Sequence, residues 1–306
     1  MARAVSVGII GTGAVGASVA ISTLHAGVAQ TLLLHDLRTA VAEGEAMDLA
    51  DGGPFYPPAG VRSADLDALL STDALVIAAG RNGRPGESRL DLLRDNVVAV
   101  RQLGGRLRDY AGVAIVVSNP VDVLTFELAR AAGLPHERVL GTGTMLDTAR
   151  LRHAVGAALA IDPRSVHAQV VGEHGDSEVA LWSTATAGGI PLREWPTWTP
   201  ALEEQLTASV RTAAYEIIKR KGVTNHAIGL VTAALLKAVL RGGDRVLTVS
   251  RVQDGAAGLR DVALSLPAVV GAGGAARVMT PVMSTDEQRR LERSAEILRG
   301  ALTALA

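Results

Sequence analysis

Residues 5–16 have the sequence Val-Ser-Val-Gly-Ile-Ile-Gly-Thr-Gly-Ala-Val-Gly. The apolar run at its start predicts a buried strand, and the glycines after it fit the pattern G-x-G-x-x-G. In this pattern the first glycine permits a tight turn, the second lets a pyrophosphate approach the backbone, and the third lets helix and strand pack closely. The unpaired N–H groups of the following helix would then face the phosphates. The stretch therefore predicts a dinucleotide site.

A carboxylate after the next predicted strand supports this prediction. Residues 31–35 form a second apolar run, and Asp36 follows it, 20 residues past Gly16. A carboxylate there accepts hydrogen bonds from the ribose hydroxyls of NAD and repels the additional phosphate of NADP. We predict NAD as the cofactor, although Arg38 nearby would soften the preference. In the alternative interpretation the glycines only form a turn and Asp36 only caps the next helix.

The first half of the chain alternates predicted strands and helices. Such alternation predicts a parallel sheet with right-handed crossovers, and nearly all-apolar strands predict helices on both faces of the sheet. We therefore expect a Rossmann-type doubly wound parallel sheet. The predicted strands are residues 5–10, 31–35, 74–79, 113–118 and 138–141, and the predicted helices are residues 14–26, 38–49, 90–107 and 121–132.

The second half has a different pattern, which predicts an α+β substrate domain with antiparallel strands. We place the boundary near Gly141, so that residues 1–141 bind the dinucleotide and residues 142–306 bind the substrate. The predicted strands are residues 166–172, 179–183, 245–252 and 262–269, the predicted helices are residues 145–159, 202–220, 226–240 and 285–302, and residues 195–200 are predicted to form a loop.

The composition excludes several classes of function. The chain has 306 residues, 48% of them hydrophobic, and its formal net charge of −1 gives no basic surface for nucleic acid. With no cysteine, disulfides, thiolate nucleophiles and zinc–thiolate sites are excluded. Residues 4–34 carry no formal charge and could pass for a signal peptide or membrane anchor. Because five glycines interrupt that stretch, we expect a soluble protein without a membrane partner or a metal.

Polar residues gather after the predicted strands, where open α/β sheets bind ligands. A glycine-rich, charged loop at residues 80–89 has the composition of a mobile lid. The other polar segments are Ser-Asn-Pro-Val-Asp at residues 118–122, Leu-Asp-Thr-Ala-Arg at residues 146–150 and Gly-Glu-His-Gly-Asp at residues 172–176.

Together these segments resemble the L-lactate/L-malate dehydrogenase family. The resemblance covers nearly the whole chain, including Lys-Gly-Val-Thr at residues 221–224 and Leu-Pro-Ala-Val-Val-Gly at residues 266–271. It implies an NAD-dependent L-2-hydroxy acid dehydrogenase, most similar in type to the bacterial L-lactate dehydrogenases. It also implies a cytoplasmic protein that forms a homo-oligomer, either a tetramer or a dimer.

The resemblance also implies a role for each residue of the site. His174 would be the general acid/base, and Asp147 would orient its imidazole and stabilise the charged form. Arg150 would bind the substrate carboxylate, Arg89 would polarise the reacting carbonyl, and Asn119 would hydrogen-bond the same region. The residues placed next to the cofactor are Gly11, Gly13, Ala14, Val15, Gly16, Asp36, Ala79, Gly80 and Asn119.

The chemistry of a 2-oxo acid agrees with these roles. A guanidinium binds a planar carboxylate through two parallel hydrogen bonds, which lysine does not reproduce. Hydride transfer to the carbonyl leaves an alkoxide that needs a proton, and histidine titrates near neutral pH. Each residue also has an ordinary explanation: Arg150 as a surface charge, Asp147 as an acid in a first helical turn, and Asn119 as a turn former.

One position in the loop departs from the family pattern. Lactate-specific members have Gln at the position of Gly83, and malate-specific members have Arg. Because glycine leaves space there, we hypothesise a substrate with a side chain bulkier than that of pyruvate. Alternatively, Arg81 or Arg84 supplies the cation for a second carboxylate and gives malate activity, or Gly83 only makes the loop flexible.

Other matches concern the pocket wall and regulation. Thr224 and Ala214 would line the substrate cavity, or they are ordinary packing residues. Arg152 and His167 fall where allosteric bacterial lactate dehydrogenases bind fructose 1,6-bisphosphate, or they are an ordinary surface charge and strand residue. Two other functions remain open from the sequence: a dinucleotide-binding sensor without turnover, and an imine-reducing enzyme that needs an amine co-substrate.

Overall fold

The computed structural model describes residues 4–80 and 89–305, apart from the side chains of Arg89, Leu90 and Leu92. The predictions for Arg81, Gly83, Arg84 and the side chain of Arg89 therefore lie outside the described residues. The elements of the first half are β1 (Ser6–Ile10), α1 (Ala14–His25), β2 (Thr31–His35), α2 (Thr39–Asp51), β3 (Gly60–Ser63), α3 (Leu66–Leu69), β4 (Ala74–Ile77), α4 (Arg89–Arg106), β5 (Val113–Val116), α5 (Val121–Ala132) and β6 (Val139–Gly141).

The six strands of the first half form a parallel sheet in the order β3-β2-β1-β4-β5-β6. The predicted Rossmann-type parallel sheet is therefore confirmed. The chain runs from β1 through β2 to β3 at one edge of the parallel sheet, and from β4 through β5 to β6 on the other side of β1. Ligands of open α/β sheets bind at the carboxyl ends of the strands where the order reverses, which here are β1 and β4.

Both faces of this sheet are covered, which explains the uninterrupted apolar strands. In β4, Leu75 and Ile77 belong to one buried cluster, whereas Ala74 and Val76 belong to another. Because successive side chains of a strand point to opposite faces, the two clusters lie on opposite sides of the sheet. Each face therefore needs apolar residues at its own alternate positions.

The second half adds antiparallel strands to the same sheet. Strands β12, β13 and β14 run antiparallel, and β12 pairs with β6 through Ser250 and Gly141. The predicted antiparallel strands are confirmed, and the sheet passes continuously from one half to the other. The elements here are α6 (Met145–Leu159), β7 (Val166–His167), β8 (Val170–Val171), β9 (Val179–Ala180), β10 (Thr186–Ala187), β11 (Ile190–Pro191), α7 (Pro200–Lys221), α8 (His226–Arg241), β12 (Arg245–Asp254), β13 (Arg260–Gly271), β14 (Gly274–Val278) and α9 (Thr285–Thr303).

Helix α8 joins the second half to the first by packing against α1. A Cβ at Gly229 would lie 2.4 Å from the carbonyl oxygen of Ser18, so the two helices touch at that glycine. Asn225 Nδ2 donates to Ser18 Oγ at 2.9 Å, and Arg241 Nε donates to the carbonyl of Val28 at 3.0 Å. The second half is therefore held against the first by close backbone packing as well as by strand pairing.

Several predicted strands were wrong in extent. Strands β4 and β5 each end two residues before the predicted end, and two strands of the second half differ more. Residues 166–172 form two short strands rather than one, because β7 pairs with β10 whereas β8 pairs with β9. The strand predicted at residues 179–183 ends at Ala180, and a 3₁₀ turn begins at Trp182. Strands β3, β10, β11 and β14 were missed. Gly60 starts β3, and Gly274 and Ala275 start β14, and these residues are poor strand formers. Strands β10 and β11 are only two residues long each.

Among residues 4–80 and 89–305, no helix is long and apolar enough to cross a membrane. The same part of the chain contains no group of three His, Asp or Glu side chains placed to hold a metal ion.

Candidate active site

The glycine loop between β1 and α1 leaves one side open. Gly11 has φ +91°, and a Cβ there would lie 2.7 Å from the backbone of Ala79. A Cβ at Gly16 would lie 1.8 Å from the carbonyl oxygen of Gly11, so only glycine lets α1 start this close to β1. At Gly13, by contrast, a Cβ would meet no described atom within 4 Å. The open side fits a pyrophosphate at the first turn of α1, which Ala14 and Val15 begin.

Asp36 lies beside this loop at the end of β2. Its carboxylate accepts hydrogen bonds from the N–H of Thr12 at 2.9 Å and from the N–H of Arg38 at 3.0 Å. Partial burial raises the pKa of Asp36, but these two N–H donors outweigh it and hold the pKa below its ordinary value. The group is therefore a fixed anion at neutral pH, and it suits ribose hydroxyls better than a second phosphate.

The carboxyl ends of β4 and β5 complete the edge of this crevice. Ser118 Oγ donates to the carbonyl of Ala79 at 2.6 Å, which joins the two strand ends. Gly80 and Asn119 follow directly and are exposed. The residues predicted to contact the cofactor therefore lie along one edge of the sheet, around the reversal in strand order.

His174, Asp147 and Arg150 form one connected cluster. His174 Nδ1 lies 2.6 Å from Asp147 Oδ2, and Arg150 donates to Asp147 Oδ1 at 2.9 Å. Asp147 and Arg150 are three residues apart in α6, so both project from one face of that helix. The side chain of Asp147 is 3% exposed, whereas those of His174 and Arg150 are 24% and 16% exposed. An imidazole edge and a guanidinium thus reach the surface above a buried carboxylate.

The loop that carries His174 is held by its backbone. Gly172, with φ +86°, exchanges two hydrogen bonds of 2.9 Å with Ser265 of β13. The N–H of Glu173 donates to Ser294 Oγ in α9 at 2.8 Å. The N–H of His174 donates to Asp122 Oδ2 in α5 at 2.7 Å. Three successive residues are thus fixed by three different elements, which sets the position of the imidazole before any ligand binds.

The surrounding carboxylates keep His174 protonated at neutral pH. Partial burial disfavours the charged imidazole, but the adjacent charge and hydrogen bond of Asp147 outweigh it and raise the pKa of His174 to about 9. Burial also opposes ionisation of Asp147, yet His174 and Arg150 hold the pKa of that carboxyl below its ordinary value. The cluster is therefore an imidazolium paired with a carboxylate, which can give a proton to a developing alkoxide.

Sequence reasoning missed two buried carboxyl groups beside His174. Burial raises the pKa of Asp122 to about 6, against the opposing effects of Ser250 and the His174 N–H. Burial raises the pKa of Glu178 to about 8, and the charge of Asp147 adds to the effect. Asp122 lies three residues after Asn119, and Glu178 lies four residues after His174. This proximity in sequence was the available signal for both.

Other predicted residues lie outside this cluster. Ala214 is half-buried in α7, between Arg211 and Tyr215, which donate to the Glu178 carbonyl and to Asp176. Thr224 is half-buried between α7 and α8. No hydrogen bond among the described residues joins either one to His174.

The two residues predicted to regulate the protein are close neighbours. Arg152 Nε donates to the carbonyl of Ala168 at 2.9 Å, next to the exposed His167. Burial lowers the pKa of Arg152, and the charge of Arg245 lowers it further.

Comparison with known proteins identifies the chain. The model of the lactate/malate dehydrogenase NAD-binding domain matches residues 5–141, and that of the lactate/malate dehydrogenase α/β C-terminal domain matches residues 144–305. L-Lactate dehydrogenase of Synechococcus sp. strain JA-3-3Ab is 44% identical over 97% of this chain and 98% of its own. That of Kosmotoga olearia is 41% identical over 98% and 96%. The chain belongs to the lactate/malate dehydrogenase family.

Solved structures agree with this assignment. The minor L-lactate dehydrogenase of Enterococcus mundtii superposes with a TM-score of 0.96 at 37% identity, over 99% of both chains. A lactate dehydrogenase from a Medee basin deep-sea metagenome gives 0.95 at 36% identity, again over 99% of both chains. The protein is an NAD-dependent 2-hydroxy acid dehydrogenase.

Proposed function

We propose that the protein interconverts a 2-oxo acid and the corresponding L-2-hydroxy acid, as an enzyme of the L-lactate dehydrogenase type. The observation that carries this proposal is the His174–Asp147–Arg150 cluster. The proton donor His174 and the guanidinium of Arg150, which can bind a substrate carboxylate, both hydrogen-bond the buried carboxylate of Asp147. A 2-oxo acid has a carboxylate beside its carbonyl, so it can use both groups at once. A non-catalytic sensor would need neither.

In this proposal each described side chain has one task. Arg150 binds the substrate carboxylate, and His174 Nε2 gives its proton to the substrate oxygen as the carbonyl is reduced. Asp147 holds the imidazole by Nδ1 and stabilises its charge. Bound NADH supplies the hydride, and Asp36 and the open side of Gly13 hold its ribose and pyrophosphate. Asn119 and Arg89 are assigned to the reacting oxygen on the basis of the resemblance.

A substrate panel tests the reaction and the identity of the side chain. The change in NADH absorbance is measured with pyruvate, oxaloacetate, 2-oxoisocaproate and phenylpyruvate, and with NADPH in parallel. Turnover with any of them and NADH supports the proposed reaction. We expect kcat/KM for the bulkier acids to equal or exceed that for pyruvate, because Gly83 leaves space. A much higher value for pyruvate would contradict the bulky-substrate hypothesis and leave plain lactate activity.

Variants of the loop separate the remaining alternatives. Gly83→Gln should shift preference toward pyruvate by at least about tenfold, since its side chain fills more than one methylene-sized gap and each is worth about 1–3 kcal/mol. If Arg81→Ala or Arg84→Ala selectively abolishes turnover of oxaloacetate, the malate alternative is correct instead. The matched control is Arg164→Ala, a surface arginine paired with Asp162.

The pH dependence of the reaction should follow His174. Because its pKa is about 9, the acid form is present at neutral pH and is lost as pH rises through 9. We expect kcat/KM for 2-oxo acid reduction to be flat below this pH and to fall about tenfold per unit above it. Oxidation of the hydroxy acid needs the neutral imidazole, so its rate should rise about tenfold per unit up to about pH 9 and level off above it. Both profiles are measured from pH 6 to about pH 10.

Asp147→Asn checks the origin of this profile. Without the carboxylate charge, burial dominates, and the break in the profile should move from about 9 toward or below the ordinary 6.5. Asp162→Asn, which alters an exposed carboxylate, should leave the profile unchanged. A break that stays near 9 in Asp147→Asn would show that another group titrates.

The same proposal includes a two-domain division near Gly141, a cytoplasmic location and a homo-oligomer. Self-association is supported by three large apolar side chains in and next to α2 that are exposed to solvent. Leu37 is 97% exposed, Phe55 82% and Met47 70%. Regulation by a sugar bisphosphate at Arg152 and His167 is likewise supported by their adjacency, since a bisphosphate needs several cations.

A further inference from the structure

A groove lined by arginines lies beside the loop that follows His174. Its volume is about 290 Å³, near the lower end of the range of about 300–1,000 Å³ for small-molecule pockets. It is formed by residues 177 and 178, which follow His174 in the sequence, by one residue of α7 and by one face of α9. We call it the arginine groove, and its lining residues are Ser177, Glu178, Arg211, Asp286, Arg289, Arg290 and Arg293.

The groove carries an excess of positive charge. Asp286 lies beside two of the four arginines, with Arg290 at 2.7 Å and Arg289 at 3.7 Å. The Glu178 carboxyl is buried, and burial raises its pKa to about 8, so at neutral pH it is mostly uncharged. Arg293 contacts Glu296, which is outside the lining. The four guanidinium groups of the lining therefore outnumber the carboxylates paired with them, which are Asp286 in the lining and Glu296 outside it.

The arginines of α9 repel one another, and their ion pairs with Asp286 and Glu296 offset part of this repulsion. Arg289 and Arg293 are four residues apart in α9, and Arg290 and Arg293 are three apart, so all three project from the same face. Like charges at these spacings destabilise a helix. Arg211 of α7 adds a fourth positive charge to the same groove. A bound anion would remove this repulsion.

Arg211 has an unused hydrogen-bond donor. One terminal nitrogen donates to the carbonyl of Glu178 at 3.3 Å, but its Nε–H is buried and has no acceptor among the described residues. Buried N–H groups nearly always have a partner, so this donor is available to an ordered water or to a ligand. The side chains of Arg289, Arg290 and Arg293 are 64–74% exposed, and an anion can therefore enter from solvent.

We propose that the arginine groove binds a phosphate-bearing anion, at a site separate from the catalytic cluster and from Arg152 and His167. Guanidinium groups bind phosphate oxygens through paired hydrogen bonds, and several of them are needed to balance a multiply charged phosphate. The groove is too small for a dinucleotide and suits inorganic phosphate, pyrophosphate or a small phosphorylated metabolite. Arg211 donates a hydrogen bond to the carbonyl of Glu178, four residues after His174. A ligand bound to Arg211 would therefore contact the segment that follows His174.

Calorimetric titration of the full-length protein tests the site. Pyrophosphate, orthophosphate and fructose 1,6-bisphosphate are titrated separately, with chloride at matched ionic strength to remove general screening. We expect at least one of them to bind, and the double variant Arg289→Ala, Arg293→Ala to weaken that binding at least about tenfold. Both side chains are exposed, so the variant should fold normally, which its melting temperature checks. Arg289→Lys, Arg293→Lys should weaken binding less, since it keeps the charge but loses the paired hydrogen bonds.

Arg152→Ala is the matched control, because it removes the other cation assigned to a phosphate. Binding that persists in Arg152→Ala and is lost in the α9 double variant supports the proposal. The anion that binds most tightly then shows whether the ligand is orthophosphate, pyrophosphate or a sugar phosphate. Binding that is lost in Arg152→Ala and unchanged in the α9 variant overturns it. The absence of binding by all three anions above the chloride control also overturns it.

Discussion

Replacing His174 by glutamine is expected to lower kcat for 2-oxo acid reduction by about 10²–10⁴-fold, the usual contribution of a general acid. This corresponds to a barrier increase of about 3–5 kcal/mol. Glutamine can still hydrogen-bond Asp147 but has no proton to give at neutral pH. Steady-state kcat is followed by NADH absorbance, and NADH affinity is followed by fluorescence. The affinity for NADH should stay within about twofold of the original, since His174 lies outside the nucleotide loop.

His153→Gln provides the matched control, because His153 is an exposed residue of α6, the helix that carries Asp147. It should leave kcat unchanged. If His174→Gln kept more than about a tenth of the original kcat, the proton would come from another group, and the buried Glu178 would be the next candidate.

Two alanine substitutions in the glycine loop should have opposite consequences for folding and for binding. At Gly16 a Cβ would lie 1.8 Å from the Gly11 carbonyl oxygen, so Gly16→Ala must push α1 away from β1. We expect a loss of about 3 kcal/mol in unfolding free energy, and a melting temperature lower by about 6–12 °C. At Gly13 the backbone has φ −71° and no described atom lies within reach, so alanine fits without strain.

Gly13→Ala should therefore melt within about 2 °C of the original protein but bind NADH about 10–100-fold more weakly, because the methyl group occupies the space for the pyrophosphate. The two measurements are differential scanning calorimetry and a fluorescence titration with NADH. Normal affinity in Gly13→Ala would mean that the pyrophosphate does not approach the backbone at this residue. A stable Gly16→Ala would mean that the close contact of α1 and β1 relaxes easily.

The parallel half of the fold could be predicted well because its local signals agree. In β4 every side chain is buried, so the strand is an apolar run. Helix α5 is preceded by Pro120 and followed by Gly133, which mark its two ends. The second half was harder to predict, because its short strands depend on their partners. Residues 166–172 alternate apolar residues with His167 and Gln169, as a single half-exposed strand would. However, β7 and β8 pair with different strands, and a change of partner leaves no mark on hydrophobic periodicity.

The catalytic cluster could be predicted only in part. His174, Asp147 and Arg150 stand in distinctive segments, and the structure brings them together. Asp122 lies 52 residues before His174 in sequence and contacts its backbone N–H, and such a pairing depends on the packing of α5 against the loop. The substrate-side assignments at Gly83 and Arg89 remain predictions from the sequence.

The pairing of β12 with β6 has a consequence for protein engineering. A fragment ending at Gly141 would leave the edge of β6 without the neighbour that Ser250 provides, and an uncovered apolar edge strand promotes self-association. It would also lose α8 from the surface of α1, where Gly229 meets Ser18. Chimeras that exchange the segment after Gly141 with a relative must therefore keep the small residue at position 229 and the pairing at position 250, since the nucleotide half is not an interchangeable module.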